Sequence, residues 1–208
     1  MSRTPLLFAL VLAALTIAFA IKQAASPAAP LPPLPNVILA FGDSLTYGTG
    51  AAKGESYPDR LAQRIGKNVI NAGLPGEGSK EGLKRLKTLL DRHRPGLVLL
   101  CHGGNDILKK QDEKQMRRNL ESMIRILQGR GIGVVLIAVP QFSLIGLDAH
   151  PAYEEIAERF AVPIEKERLS EVLGDNRTKS DYVHPNAAGY AQIAEAVEKV
   201  LREHYRVE

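Results

Sequence analysis

Val37-Ile38-Leu39-Ala40-Phe41-Gly42-Asp43-Ser44-Leu45-Thr46-Tyr47-Gly48 opens with five apolar residues and turns abruptly polar at a glycine. A short continuous apolar run stopped by Gly reads as a strand buried on both faces, a property of parallel sheets covered by helices. The residues after it, Gly-Asp-Ser, then fall at the carboxyl end of that strand. In open α/β sheets this is the edge where ligands bind.

The same pattern repeats along the chain. Val69–Asn71, Leu97–Cys101 and Val134–Val139 read as further strands, the last closed by Pro140, with a short edge strand at Val162–Ile164. Between them lie helical patterns. Ser56–Ile65 is short and amphipathic, and Lys80–His93 carries Leu83, Leu86, Leu89 and Leu90 before Pro95-Gly96 stops it. Glu113–Arg130 has the stripe Met116, Leu120, Met123, Ile124 and Leu127. Pro151–Phe160 follows, and Asn186 is placed to cap a last helix, Ala187–Arg202. Strands alternating with helices specify an α/β domain with a parallel sheet between two helical layers.

Three successive strand ends carry small or polar residues: Gly42-Asp43-Ser44, Asn71-Ala72-Gly73 and Gly103-Gly104-Asn105-Asp106. A fourth polar loop, Asp181-Tyr182-Val183-His184-Pro185-Asn186, precedes the last helix. One such ending is ordinary, whereas four on one edge suggest a constructed site. Taken alone, Ser44 is a turn or cap serine, because a serine hydroxyl needs a base to become a nucleophile. His184 supplies one. Asp181, three residues earlier, can turn back onto Nδ1 and leave Nε2 facing the serine. His102 abuts the third strand end and is the weaker rival, and His93, His150 and His204 sit in surface-like contexts. Acyl transfer also needs donors for a developing oxyanion, and the Ser44 N–H, the Gly73 N–H and the Asn105 side-chain amide are the natural three.

Other chemistries fail on spacing. Gly48-Thr49-Gly50-Ala51-Ala52-Lys53 lacks the third glycine of a dinucleotide fingerprint, and no Gly-Lys-Ser/Thr ends a phosphate loop. No His-Glu-x-x-His is present, and Cys101 is the only cysteine, which excludes an intrachain disulfide and a cysteine-based zinc site. The 27 Lys+Arg and 23 Asp+Glu are interspersed and only 5% of residues are aromatic, which disfavours nucleic-acid binding.

The four blocks resemble those of the SGNH (GDSL-type) hydrolase superfamily, and most nearly its bacterial thioesterase I, lysophospholipase and arylesterase group. The resemblance runs through Phe41–Gly48, Ile70–Glu77, Gly103–Asp106 and Asp181-x-x-His184-Pro185. It implies a three-layer α/β/α sandwich with about five parallel strands in flavodoxin-like order, and no cofactor. It implies Ser44 as nucleophile, His184 as base and Asp181 as its orienting partner, with an oxyanion hole from Ser44, Gly73 and Asn105. Asp43 and Asp106 become supports for the Ser44 and Asn105 loops. Leu45, Leu74, Ile107 and Leu108 become candidate substrate contacts, with Lys109 and Lys110 a cationic rim. The expected substrate is a small-molecule ester, thioester or lysophospholipid. A carbohydrate O-acetylesterase on the same fold, or a non-catalytic lipid- or glycan-binding protein, is the alternative. Gly76-Glu77-Gly78-Ser79 departs from the Gly-Glu/Asp-Thr-Ser/Thr common among relatives.

Outside this region the composition changes. Of the 208 residues, Pro5–Ile21 form an unbroken run of apolar or weakly polar side chains between Arg3 and Lys22. The run matches either a cleaved signal peptide, with Ala18-Phe19-Ala20 or Ala24-Ala25 as cleavage sites, or an uncleaved signal anchor. Residues 1–25 are therefore expected to be the leader, 26–35 a Pro/Ala-rich linker and 36–208 the hydrolase domain, exported to the periplasm or beyond the cytoplasm and, where the leader stays uncleaved, anchored to the membrane by residues 5–21. Arg3 and Lys22 alone contribute half of the formal net charge of +4. Nothing in the sequence sets an oligomeric state.

Overall fold

The computed structural model describes residues 30–143 and 146–207. The leader expected in residues 1–25 lies outside them, as do the first four residues of the linker. From Pro32 onward the linker is seated rather than free. Leu34 is buried, its N–H donates to the Arg206 carbonyl at 3.0 Å, and the Arg206 N–H donates to the Pro32 carbonyl at 2.8 Å. Among the described residues no helix is long and apolar enough to cross a membrane.

In chain order the elements are β1 (Val37–Gly42), α1 (Ser44–Tyr47), α2 (Tyr57–Ile65), β2 (Asn68–Gly73) and α3 (Ser79–His93). They continue with β3 (Leu97–Cys101), α4 (Gly104–Leu108), α5 (Glu113–Gly129), β4 (Gly133–Ile137) and the strand pair β5 (Pro140–Ser143) and β6 (Gly146–Ala149). The last are α6 (Pro151–Phe160), β7 (Ile164–Glu165), α7 (Arg168–Gly174) and α8 (Ala187–His204). Five strands form one parallel sheet in the order β2-β1-β3-β4-β7, the doubly wound arrangement expected from the sequence.

The apolar runs occupy the middle of this sheet. Ile38, Leu39, Ala40 and Phe41 of β1 and all five residues of β3 are buried. Helix α2 packs with α8 on one side of the sheet, and α3 with α5 on the other, so both faces are covered. The helix ends follow their local chemistry. Ser56 Oγ accepts from the Asp59 N–H ahead of Pro58, and Asn186 Oδ1 accepts from the N–H groups of Ala188 and Gly189 at 3.0 and 3.1 Å.

Several details depart from expectation. The fourth strand ends at Ile137 rather than Val139, and the edge strand is Ile164–Glu165. Pro140 does not close an element but begins β5, which pairs antiparallel with β6 through Pro140↔Ala149 and Gln141↔Asp148. Proline starts a strand readily because its missing N–H is not needed there. His150 is buried rather than superficial, and its Nδ1 accepts from the Ala152 N–H as the cap of α6.

Candidate active site

The register β1–β3 ends with Gly42 beside Cys101, and β1–β2 with Gly42 beside Gly73, so three chain reversals leave the sheet at one level. Glycine is required at two of these points by contact. A Cβ on Gly42 would fall 2.1 Å from the Cys101 carbonyl oxygen and 2.2 Å from Thr46 Oγ1. A Cβ on Gly73 would fall 2.1 Å from the Tyr47 backbone nitrogen. Both absences let α1 sit directly on the strand ends.

Ser44 is the first residue of α1, whose cap is Asp43 with its Oδ1 accepting from the Leu45 N–H at 3.0 Å. Gly48, at φ +101°, ends the turn. Ser44 thus stands at the sheet edge with its own N–H unpaired among the described residues.

The late loop brings its partners. Its base is closed by the Ser180 N–H donating to the His184 carbonyl at 2.9 Å and the Asn186 N–H to the Thr178 carbonyl at 3.0 Å. His184 Nε2 lies 3.0 Å from Ser44 Oγ, and Nδ1 lies 2.8 Å from Asp181 Oδ2. Asp181 also accepts from the backbone N–H groups of Val183 and His184 at 2.8 and 2.9 Å. Partial burial pushes its carboxyl up. The Val183 N–H and the His184 ring and backbone outweigh that push and hold it below the ordinary carboxylate value. With Asp181 ionised, Nδ1 carries the proton and Nε2 is left as acceptor for the serine hydroxyl.

His102 faces other partners. It is fully buried, its Nδ1 accepts from the Gly103 N–H at 3.1 Å, and its Nε2 faces Glu77 Oε2 at 3.1 Å. Glu77 is held in turn by Arg85, with Nε to Oε1 at 2.7 Å and Nη2 to Oε2 at 2.5 Å. Burial raises the Glu77 carboxyl, but the bonds from His102 and Arg85 leave it below its ordinary value. Both imidazole nitrogens are therefore committed beneath the sheet edge.

The expected oxyanion donors need one correction. The Gly73 N–H donates to Asn71 Oδ1 at 3.0 Å, so it is not available to a substrate. Gly73 is glycine because α1 packs on it. Three residues on, Gly76 adopts φ +81°, and its N–H has no acceptor among the described residues. Asn105 Nδ2 donates to Asp43 Oδ2 at 3.2 Å and to the Glu77 carbonyl at 3.1 Å, and two acceptors fix the orientation of the amide. Both lie within the ordinary hydrogen-bond range, so an oxyanion taking a hydrogen from this amide would do so in competition with one of these acceptors. Asp43 is buried, and that burial pushes its carboxyl above the ordinary value. His102, the Leu45 N–H, the Asn105 amide and His184 all pull the other way. Asp106 holds the start of α3, accepting from the Ser79 N–H at 2.8 Å and its hydroxyl at 2.6 Å.

A narrow groove open to solvent runs from Ser44 and His184 along Leu45, Gly104, Asn105, Ile107 and Leu108. Val139, Gln141, Leu147, Leu173 and Tyr182 complete it. Leu45, Ile107 and Leu108 are thus where the sequence suggests. Leu74 is not. It is 47% exposed, outside the groove lining, with its N–H bound to the Gly42 carbonyl. Gln141 and Leu147, from β5 and β6, were missed because a four-residue strand pair leaves no periodicity to read. Among the described residues no group of three His, Cys, Asp or Glu side chains could hold a metal.

A doubly wound sheet with serine, histidine and aspartate in hydrogen-bonding sequence at its carboxyl edge, beside an apolar groove, is an arrangement suited to serine-hydrolase chemistry. The chain belongs to the GDSL-like Lipase/Acylhydrolase family, whose sequence profile matches residues 40–192, and it is an ester-bond hydrolase of that family. It is 31% identical over 179 residues to an arylesterase of Vibrio mimicus, covering 80% of this chain and 88% of that protein. It is 28% identical over 174 residues to thioesterase 1/protease 1/lysophospholipase L1 of Escherichia coli K12, covering 80% and 84%. The crystal structure of AlinE4, an SGNH-hydrolase family esterase, superposes with a TM-score of 0.61 at 31% identity, covering 86% of this chain and 98% of that one.

Proposed function

We propose that Ser44 is the nucleophile, His184 the general base and Asp181 its orienting carboxylate in hydrolysis of carboxylic esters or thioesters through an acyl-enzyme. The observation that carries the reading is the unbroken chain Ser44 Oγ–His184 Nε2–Nδ1–Asp181 Oδ2 at 3.0 and 2.8 Å. Ser44 Oγ attacks the acyl carbon as its proton passes to Nε2. The tetrahedral oxyanion is held by the Ser44 N–H and the Asn105 amide, with the Gly76 N–H replacing Gly73 as the second loop's donor. The imidazolium gives its proton to the leaving oxygen or sulfur, and the acyl group remains on Ser44. Water then repeats the sequence, and the free acid leaves.

The groove's apolar side chains favour an acyl group longer than acetyl. The leader read in the sequence favours an enzyme working outside the cytoplasm, where lysophospholipids and acyl esters are at hand and acyl-CoA is scarce. An ester panel from acetyl to palmitoyl, with lysophospholipid and acyl-CoA included, tests this. Medium or long chains are expected to be preferred. A sharp preference for acetyl over octanoyl esters would instead mark a carbohydrate O-acetylesterase.

A further inference from the structure

Helix α4 makes two connections to the neighbouring loop, one turn apart. Asn105 Nδ2 donates to the Glu77 carbonyl at 3.1 Å, and Lys109 Nζ donates to the adjacent Gly76 carbonyl, also at 3.1 Å. Lys109 caps α4, its N–H donating to the Asn105 carbonyl at 3.1 Å, so the helix and its cap together grip two successive peptide units of the loop. The Gly76 carbonyl belongs to the peptide that follows Gly76, a residue at φ +81° with open space where a Cβ would be. Packing at a Cβ therefore does not fix Gly76, and this peptide is held at its two polar ends, by Lys109 Nζ on the Gly76 carbonyl and by the Glu77 N–H donating to the Leu74 carbonyl at 3.2 Å.

We infer that Lys109 is a positioning residue for the oxyanion side of the site, holding the Gly76 peptide in register with the Asn105 amide. The inference rests on the ester-hydrolase reading of Ser44 and goes beyond it by giving Lys109 a role other than a cationic rim. A lysine whose ammonium is bonded to a main-chain carbonyl directs its charge at the protein rather than at a substrate headgroup. Its influence on the reaction runs through Asn105 and Gly76. It contacts neither Ser44 nor His184, so the proton transfers between those two are left to their own geometry.

The test is a double-mutant cycle on Lys109→Met and Asn105→Ala, read as kcat and KM on a neutral ester and on an anionic one. Lys109→Met is expected to lower kcat about three- to tenfold, the scale of one net hydrogen bond. KM and the pH–rate profile should stay unchanged on both esters, and Lys109→Arg should restore most of the loss. In the Asn105→Ala background the Lys109→Met effect should shrink to less than twofold. Lys87→Met, an exposed cation on α3 away from the groove, is expected to match the wild type. Full additivity with Asn105→Ala would overturn the inference, as would an unchanged kcat. A rise in KM confined to the anionic ester would also overturn it, in favour of a headgroup role. Loss of the Ser44 reading is detected separately, by ester hydrolysis surviving in Ser44→Ala.

Discussion

His184 Nε2 and Ser44 Oγ meet at 3.0 Å although 140 residues separate them in the chain. The serine is delivered by the end of β1 and the histidine by a loop folded back on itself. Tyr190 of α8 fastens the two regions, its hydroxyl donating to the Thr49 carbonyl at 2.8 Å. The contact is therefore fixed by tertiary packing on both sides.

The two histidines near the sheet edge should separate cleanly on substitution. His184→Ala is expected to lower kcat by roughly 10³-fold or more with a smaller change in Tm than His102→Gln, because its side chain lines the groove rather than the core. His102→Gln should lower stability by roughly 1–3 kcal/mol, since it breaks a buried network with Glu77, yet keep kcat within a few-fold. Paired kinetics and thermal melts check this, and a catalytic collapse in His102→Gln at normal stability would make His102 the base.

Asp43 gives a pH signature in stability. Burial raises its folded pKa above the ordinary 3.8, so the folded protein binds more protons there than the unfolded chain does. The buried carboxylate is a penalty at neutral pH that is relieved as pH falls through the raised folded value toward 3.8. Asp43→Asn lacks that relief. The wild-type Tm should therefore gain on that of Asp43→Asn as pH falls from 7 toward 4. The substitution should also lower kcat roughly tenfold or more, since Asn105 loses the acceptor that orients it. A Tm difference independent of pH would contradict the raised carboxyl.

Glycines 73 and 76 should behave differently. Gly73→Ala places a Cβ 2.1 Å from the Tyr47 backbone nitrogen and is expected to destabilise by roughly 2–4 kcal/mol, or about 5–15 °C in Tm. Gly76→Ala meets no atom within 4 Å and costs only the left-handed backbone, about 1–2 kcal/mol. Its kcat should fall as the peptide reorients. Should Gly73→Ala melt like the wild type while losing kcat, the oxyanion role would return to Gly73.

The strands of the sheet were legible because a strand buried on both faces must be continuously apolar, as Leu97–Cys101 is. The Asp181–His184 pair was legible because a three-residue spacing within one loop nearly dictates the contact. What escaped reading was set by competition for hydrogen bonds. Asn71 Oδ1 captures the Gly73 N–H, and no spacing rule shows which of two glycines in a loop keeps its donor free. Strands β5 and β6 escaped for a different reason: each has four residues, too few for an alternation to stand out, and Pro140 reads more naturally as a stop.

The most direct test is labelling by a fluorophosphonate together with p-nitrophenyl ester hydrolysis in wild type and Ser44→Ala. The wild type should take up one phosphonyl group, on Ser44, and lose activity in proportion. Ser44→Ala should take up none and retain less than about one part in 10³ of the hydrolytic rate, at a wild-type Tm. A well-folded Ser44→Ala that still hydrolyses the ester at a comparable rate, or a wild type labelled at another residue, would contradict the account.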